Sequence, residues 1–416
     1  REMSSGDILP YNERMSYKKL EDGKLETLCS SNLAISKRKV SRVWRIKSPL
    51  KLLKIRTKTG KELVLTKETS LLSIHPDYGL VWIPAKQLRK GDFIATVHKL
   101  PVTSLKKVPP TYELIRDYSK DITLANVSNI VSKLVEKICN EMKISKRDLC
   151  SKLEISEDTF YRWMKKERRG QISLSSFEKL CQFANVNPNS MLPEIIEVQV
   201  KKGQTIKLPK TISSDWFYIL GLIIGDGSVY KDKGNKGYGG ITISLSNRNQ
   251  AILDKFRSFA KTLNLHVQNE NRGSERVEAC RIFSKLLYHI FEKFGLCVSP
   301  KPTNLKLNFD ILFYPDEYLQ SFLRGLFDSD GWVFYRDKSS GHIGFSSTSK
   351  NLIDFLQFAL LRYKIVPYVR ERKPEKVVTD TMNIDGKLVR YELTINNYRD
   401  IKIFQKYIGF NHPEKL

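Results

Sequence analysis

Two stretches of this chain place single carboxylates where they could act together. They are Ile219-Leu220-Gly221-Leu222-Ile223-Ile224-Gly225-Asp226-Gly227 and Leu323-Arg324-Gly325-Leu326-Phe327-Asp328-Ser329-Asp330-Gly331. Each reads as an apolar helix with small residues one turn apart, Gly221 and Gly225 in the first, Gly325 and Ser329 in the second. That spacing puts the small residues on one face and lets two helix backbones approach closely. Each run then ends in Asp-Gly, and the glycine is free to take the left-handed turn that stops a helix. Packing the two helices against each other brings Asp226 and Asp330 side by side. Paired carboxylates at helix C-termini, where the peptide dipoles are negative, suit divalent cations that assist hydrolysis of a phosphodiester.

Two bland readings compete. Asp-Gly after an apolar run is commonly only a turn, and an apolar run can be a membrane fragment. The run Trp216–Ile224 is too short to span a bilayer. The pattern also occurs twice, each time before a β-like segment, Ser228-Val229-Tyr230 and Trp332-Val333-Phe334-Tyr335. Both stretches resemble the signature of the LAGLIDADG homing endonucleases, in the double-motif form found inside inteins. The resemblance implies a pseudo-twofold αββαββα repeat over residues 211–416, acting as a monomer on double-stranded DNA with Mg²⁺ (or Mn²⁺). Gly240–Ser246 and His342–Ser347 would be matching strands, Gln250–Leu263 and Asn351–Tyr363 matching helices.

The same resemblance implies that Asp226 and Asp330 ligate metal and that a lysine lies before the second motif. Lys306, in Leu305-Lys306-Leu307-Asn308, takes that place, with asparagine where proline is common. A second echo aligns Gly409–Lys415 with Gly295–Lys301, which sets Lys415 against Lys301 and makes Lys415 a further candidate. Asp328 stands where the first motif has Ile224 and is expected to be a helix-surface position, not a ligand. The sheets would form a saddle lined by Tyr230, Lys231, Lys233, Lys236, Arg336, Lys338, Arg370, Arg372 and Lys373.

The bulk composition agrees with a nucleic-acid partner. The 416 residues are 41% hydrophobic and 28% charged, with 71 Lys and Arg against 45 Asp and Glu, a net charge of +26. Such an excess favours a polyanion, because basic side chains displace its condensed counterions. A merely lysine-rich, heat-adapted composition would raise glutamate in step, and here it does not. The six cysteines form no C-x-x-C pair, which argues against zinc and disulfide scaffolds and fits a reducing cytoplasm. No targeting or membrane-spanning segment is evident. The opening arginine suggests a processed or excised piece.

Around this core the expected fold is multidomain α+β. Residues 1–105 read as an all-β module, with strands at Val40–Ile46, Leu52–Thr57, Glu62–Thr66, Leu80–Ile83 and Asp92–Val97 between turn signals. The stretches Arg56–Thr66 and Val81–Ala95, with Ser5-Gly6-Asp7, resemble the splicing (Hint) domain of inteins. Its reactive positions are altered. Met3 falls where the family has Cys or Ser, and Thr66-Lys67-Glu68-Thr69 replaces Thr-x-x-His. A thioether cannot attack a carbonyl, and threonine cannot move protons as imidazole does. The terminal His-Asn is also not found before Leu416.

Residues 126–190 read as a small all-α domain. Ile144–Leu153, a turn at Glu154-Ile155-Ser156, and a serine-capped second helix resemble a phage-repressor helix-turn-helix. Glu157, Asp158, Tyr161 and Arg162 would then face bases, and Lys165, Lys166, Arg168 and Arg169 phosphates. A plain helical bundle with a basic face is the alternative. For the whole chain three classes stay open: an active site-specific endonuclease, a catalytically silent DNA- or RNA-binding derivative, and a splicing element or intein fragment whose splicing half is missing.

Overall fold

Alternating β-branched and polar residues govern the first hundred positions. The structure, a computed structural model, describes residues 8–21, 25–31, 34–47, 51–102, 105–165, 171–200, 204–231, 240–271, 278–335, 341–374, 376–379, 382–385 and 388–415. The chain divides into two units, residues 1–104 with 360–370, and residues 105–359 with 371–416. The first unit holds β1 (Leu9–Asn12), β2 (Met15–Lys19), β3 (Glu26–Ser31), β4 (Ala34–Lys39), β5 (Arg42–Ile46), β6 (Leu53–Arg56), β7 (Glu62–Leu65), β8 (Ser70–His75) and β9 (Gly79–Pro84). Strands β1, β2 and β5 make an antiparallel sheet, and β3–β4, β6–β7 and β8–β9 are hairpins. The strand expected over Asp92–Val97 is only a bridge between Ser73 and Ile94. The turn before it ends the pairing: Gly91 has φ +105°, and Asp92 accepts from the Arg89 amide at 2.7 Å.

The second unit opens with α1 (Thr111–Ile115), β10 (Ile122–Ala125), α2 (Ser128–Met142), α3 (Lys146–Leu153), α4 (Glu157–Met164), β11 (Ile172–Ser173), α5 (Leu174–Phe183), α6 (Pro188–Met191), β12 (Ile195–Val200) and β13 (Thr205–Pro209). This region is not all-α. Its strands form an antiparallel sheet in the order β11-β10-β12-β13, extending past residue 190. Ile122 and Leu124 of β10, Ile196 and Val198 of β12 and Ile206 and Leu208 of β13 are buried, as are Val131, Leu134 and Ile138 of α2 and Phe177 and Leu180 of α5. With two and four residues, β11 and β10 carry too few alternations to stand out in sequence, which is why they escape a periodicity reading. Side chains cap the next two helices. Ser145 and Asp148 form a reciprocal box at α3, and Ser156 starts α4 after Glu154 turns through a left-handed φ of 57°.

The rest of the chain repeats one plan. Its first copy is α7 (Ser214–Gly225), β14 (Gly227–Lys231), β15 (Ile241–Asn247), α8 (Gln250–Thr262), β16 (Gln268–Asn271), β17 (Glu278–Phe283) and α9 (Lys285–Glu292), followed by the short α10 (Lys301–Asn304). Its second is α11 (Asp316–Ser329), β18 (Gly331–Tyr335), β19 (Gly341–Ser347), α12 (Lys350–Arg362), β20 (Tyr368–Arg372), a hairpin β21–β22 (Lys376–Thr379 and Met382–Asp385), β23 (Arg390–Ile395) and α13 (Tyr398–Tyr407). The end of α12 and most of β20 fall in residues 360–370, which belong to the first unit. The sheet orders β14-β15-β17-β16 and β18-β19-β23-β20 are the same. The expected αββαββα plan is therefore present in each half, with one extra hairpin in the second.

Helix α7 is buried on all sides from Trp216 to Ile224 because it packs on α11, β14, β15 and α8 together. Glycines set the approach of α7 to α11. A Cβ on Gly325 would lie 2.2 Å from the Tyr218 carbonyl oxygen, and one on Gly221 2.5 Å from that of Phe322. Gly227 and Gly331, expected to turn left-handed, are absent from the positive-φ residues. They open strands instead, and their hydrogens face the helix just left. A Cβ there would meet the carbonyl oxygens of Ile223 and Phe327 at 2.5 and 2.4 Å.

Candidate active site

Helix packing delivers one carboxylate from each half to a shared position. Asp226 and Asp330 are the C-cap residues directly after α7 and α11, in near-identical backbone geometry (φ −82°, ψ −5° and φ −86°, ψ −3°). Both are partly buried. Burial, then repulsion from Asp226, pushes Asp330 up to about 6. Burial also raises Asp226, opposed by a 2.5 Å hydrogen bond from Asn247 Nδ2 and by the charges of Lys415 and Lys301. The strand counterpart of Asn247 is Ser347, so the two carboxylates differ in their support.

Two lysines complete the arrangement, each capping a motif helix. Lys301 Nζ donates to the carbonyl oxygens of Ile224 and Gly225 at 2.7 and 2.6 Å. Lys415 Nζ donates to those of Phe327, Asp328 and Ser329 at 3.1, 2.6 and 2.9 Å. Ammonium groups at these helix ends meet the negative pole of the peptide dipoles. Burial lowers the pKa of both, and the carboxylates resist that shift, chiefly Asp330 for Lys301 and Asp226 for Lys415. Each lysine thus caps one helix and acts most on the aspartate of the other. The echo between the segments after α9 and α13 has a backbone cause. Gly295 and Gly409 both take positive φ (110° and 60°) as the chain leaves each helix, and the lysine follows six residues later.

Lys306, expected in this role, is instead an exposed residue, and Lys301 occupies the position beside the carboxylates. Leu305 and Leu307 on either side are buried, which turns Lys306 outward. Asp328 also differs from expectation. It is not on the surface but fully buried, accepting from the Tyr218 hydroxyl at 2.8 Å and from the amides of Asn411 and His412 at 2.9 and 3.0 Å. Asn247 becomes legible only through its bond to Asp226, since an asparagine ending a strand carries no sequence mark of its own. A cleft of 280 Å³ opens beside Asp330 and Lys301, bordered by Ser346, Ser347, Thr348 and Arg390.

The other candidate residues lie apart from this cluster. Glu157, Asp158, Tyr161, Arg162 and Lys165 are exposed along α4, whose opposite face buries Phe160 and Trp163. Glu157 is paired with Arg147 at 3.1 Å. Lys231 ends β14 exposed. Arg370 and Arg372 are exposed on β20, with Arg372 bonded to Glu392 at 2.9 Å. Thr69 sits in a turn, its hydroxyl 2.8 Å from that of Thr66. Met3, Ser5, Gly6, Asp7, Lys166, Arg168, Arg169, Lys233, Lys236, Arg336 and Lys338 lie outside the described residues.

Two glycine-apposed helices, each leading into a carboxylate and then a sheet of the same strand order, give the C-terminal region two copies of one plan. Residues 317–409 match the LAGLIDADG-like domain. Residues 11–285, about two thirds of the chain, match the intein splicing domain, and the chain belongs to that family. Among similar proteins, elongation factor 2 of Methanopyrus kandleri is 25% identical over 384 residues, covering 91% of this chain and 27% of that protein. The glutamine–fructose-6-phosphate aminotransferase of Methanocaldococcus jannaschii is 23% identical over 411 residues, covering 98% and 34%. The chain thus spans about a third or less of these relatives' lengths. A solved structure of the homing endonuclease I-DmoI with DNA and Mn is similar over 47% of this chain and 96% of that one, at 19% identity and TM-score 0.34. No helix among the described residues is long and apolar enough to cross a membrane.

The raised pKa of Asp330 gives the fold a pH dependence in chelator-containing buffer. Its ordinary value is 3.8 and its folded value about 6, so between these the native state keeps a proton that the unfolded chain has lost. Stability should therefore fall as pH rises through that window, by roughly 2–3 kcal/mol at most. Urea denaturation from pH 4 to 7 should show this slope, flattened in Asp330→Asn. An equal slope in the variant would mean that other groups cause it.

Proposed function

We propose that the chain is a site-specific DNA endonuclease that cuts both strands of a duplex with a divalent cation, Mg²⁺ or Mn²⁺. The observation that carries this reading is the meeting of Asp226 and Asp330 at the ends of two packed helices, each end also held by a lysine. Two hard-oxygen ligands that burial drives toward protonation, with repulsion from Asp226 added at Asp330, fit a cation well, because the ion relieves both costs. Among the described residues no larger group of acidic, histidine or cysteine side chains gathers around a metal position. Magnesium commonly binds through one or two carboxylates, with water and substrate phosphate supplying the rest. When bound, it would activate water and stabilise the leaving oxygen.

The chain's own residues do the positioning. Asp226 and Asp330 hold the cation at the junction of the halves. Lys301 and Lys415, fixed by carbonyl oxygens, offer positive charge that needs no reorganisation as negative charge grows on the phosphate. The like halves, related as a pseudo-twofold repeat, would address the two strands. The relatives carry unrelated names yet share most of this segment, which supports an activity residing in the segment itself. Asp226→Asn and Asp330→Asn should each reduce double-strand cleavage at least about 100-fold with DNA binding little changed. The measurement is digestion of a randomised duplex library with Mg²⁺, with sequencing of the ends. Wild-type cutting by either variant would overturn the ligand assignment.

We further propose that α3 and α4 act as a DNA-binding helix-turn-helix, presenting Tyr161, Arg162 and Lys165 to the duplex. The exposed polar face of α4 over a buried Phe160 and Trp163 supports this. Replacing the three with alanine should weaken binding and lower the salt slope of log K by roughly 2, one for each cation removed. An unchanged slope would favour a plain bundle.

The β module, on this reading, does not splice. Thr69 offers a hydroxyl bonded to Thr66 where an imidazole is needed, and Met3 offers a thioether. Mass spectrometry of the chain fused between two reporter segments should show intact fusion only. Ligated flanks would refute the proposal.

A further inference from the structure

The segment after α13 is tied to α11 by groups that the first repeat lacks. Arg324 Nε donates to the Ile408 carbonyl oxygen at 2.6 Å. Four positions on, Asp328 is 0% exposed, and both its oxygens are engaged. Oδ1 accepts from the amides of Asn411 and His412 at 2.9 and 3.0 Å, and Oδ2 from the Tyr218 hydroxyl of α7 at 2.8 Å. A carboxylate this deep is costly unless its lone pairs are satisfied, so these bonds decide where the segment can lie. Three residues beyond His412, Lys415 returns to the same last turn of α11. Asp328 holds the base of this short arm, and the helix end receives its tip.

The first repeat reaches the same result differently. At the positions matching Arg324 and Asp328 it has Leu220 and Ile224, both buried and apolar. Lys301 is presented there by the first turn of α10, which follows Pro300.

We infer that Asp328 is a positioning residue for one half of the site: by binding the amides of Asn411 and His412 it sets Lys415 beside the two aspartates, while Lys301 is set without it. This rests on the endonuclease reading above. Losing Asp328 then disturbs one lysine and leaves the other, so the two strands respond unequally.

The test uses the full chain and a strand-labelled duplex carrying the site that the wild type selects from a randomised library. Asp328→Asn, Asn411→Pro, Lys415→Met and the Asp328→Asn/Lys415→Met double variant are compared for the rate on each strand, DNA affinity and thermal midpoint. Asp328→Asn should slow the strand that Lys415→Met slows, on the order of 10- to 100-fold, leaving nicked product. The other strand and the affinity should stay near wild type, and the double variant should be no slower than Lys415→Met. If Asp328→Asn unfolds, Asn411→Pro, which removes one amide donor, is judged by the same readouts. Wild-type rates on both strands, equal slowing of both, or multiplicative losses in the double variant overturn the inference while cleavage itself stands. No cutting by the wild type would overturn the endonuclease reading and this inference with it.

Discussion

The close approach of α7 and α11 is the constraint on which the candidate site depends. Hydrogens at Gly221 and Gly325 let the two backbones touch, and no other side chain fits where a methyl group would lie 2.2–2.5 Å from a carbonyl oxygen. Only at that separation do both terminal aspartates share one small space. Burial in that space, and then the nearness of Asp226, raises the pKa of Asp330, and the two lysines oppose the shift. The two four-stranded sheets are positioned by the same contact, since β14 and β18 begin one residue after each aspartate.

The paired motif was plain in the chain because it is local. Helix, small-residue stripe and terminal acid lie within nine residues, and the pattern occurs twice. The segments Gly295–Lys301 and Gly409–Lys415 were legible for the same reason, a glycine and a lysine at fixed spacing. Sequence alone nevertheless favours Lys306 over Lys301, because facing direction depends on the burial of Leu305 and Leu307, which no short pattern records. Asp328 looked like a surface residue since its partners, Tyr218, Asn411 and His412, are far away in sequence. A buried carboxylate is recognisable only by its partners.

The region between the β module and the repeats shows the same divide. Serine caps and the Glu154 turn fixed α3 and α4 in advance, as capping is decided within four residues. The sheet of the same region joins residues 122–125, 172–173, 195–200 and 205–209. Strands so short acquire meaning only by pairing across that distance. In the first unit the β6–β7 and β8–β9 hairpins fall at expected turns, β3–β4 lies where no strand was expected, and Asp92–Val97 pairs only through the bridge from Ile94 to Ser73.

The unlike supports of Lys301 and Lys415 have an evolutionary consequence. Once two copies of a repeat lie in one chain, a residue that steadies one copy is no longer copied into the other, and each can accumulate its own scaffolding. Arg324 and Asp328 on one side, Leu220 and Ile224 on the other, record such divergence around a shared, immobile axle of glycines. The added β21–β22 hairpin, inserted without altering sheet order, is a larger change of the same kind. Two copies joined in one chain need not stay alike: their surfaces can diverge while the contact between α7 and α11 stays as it was.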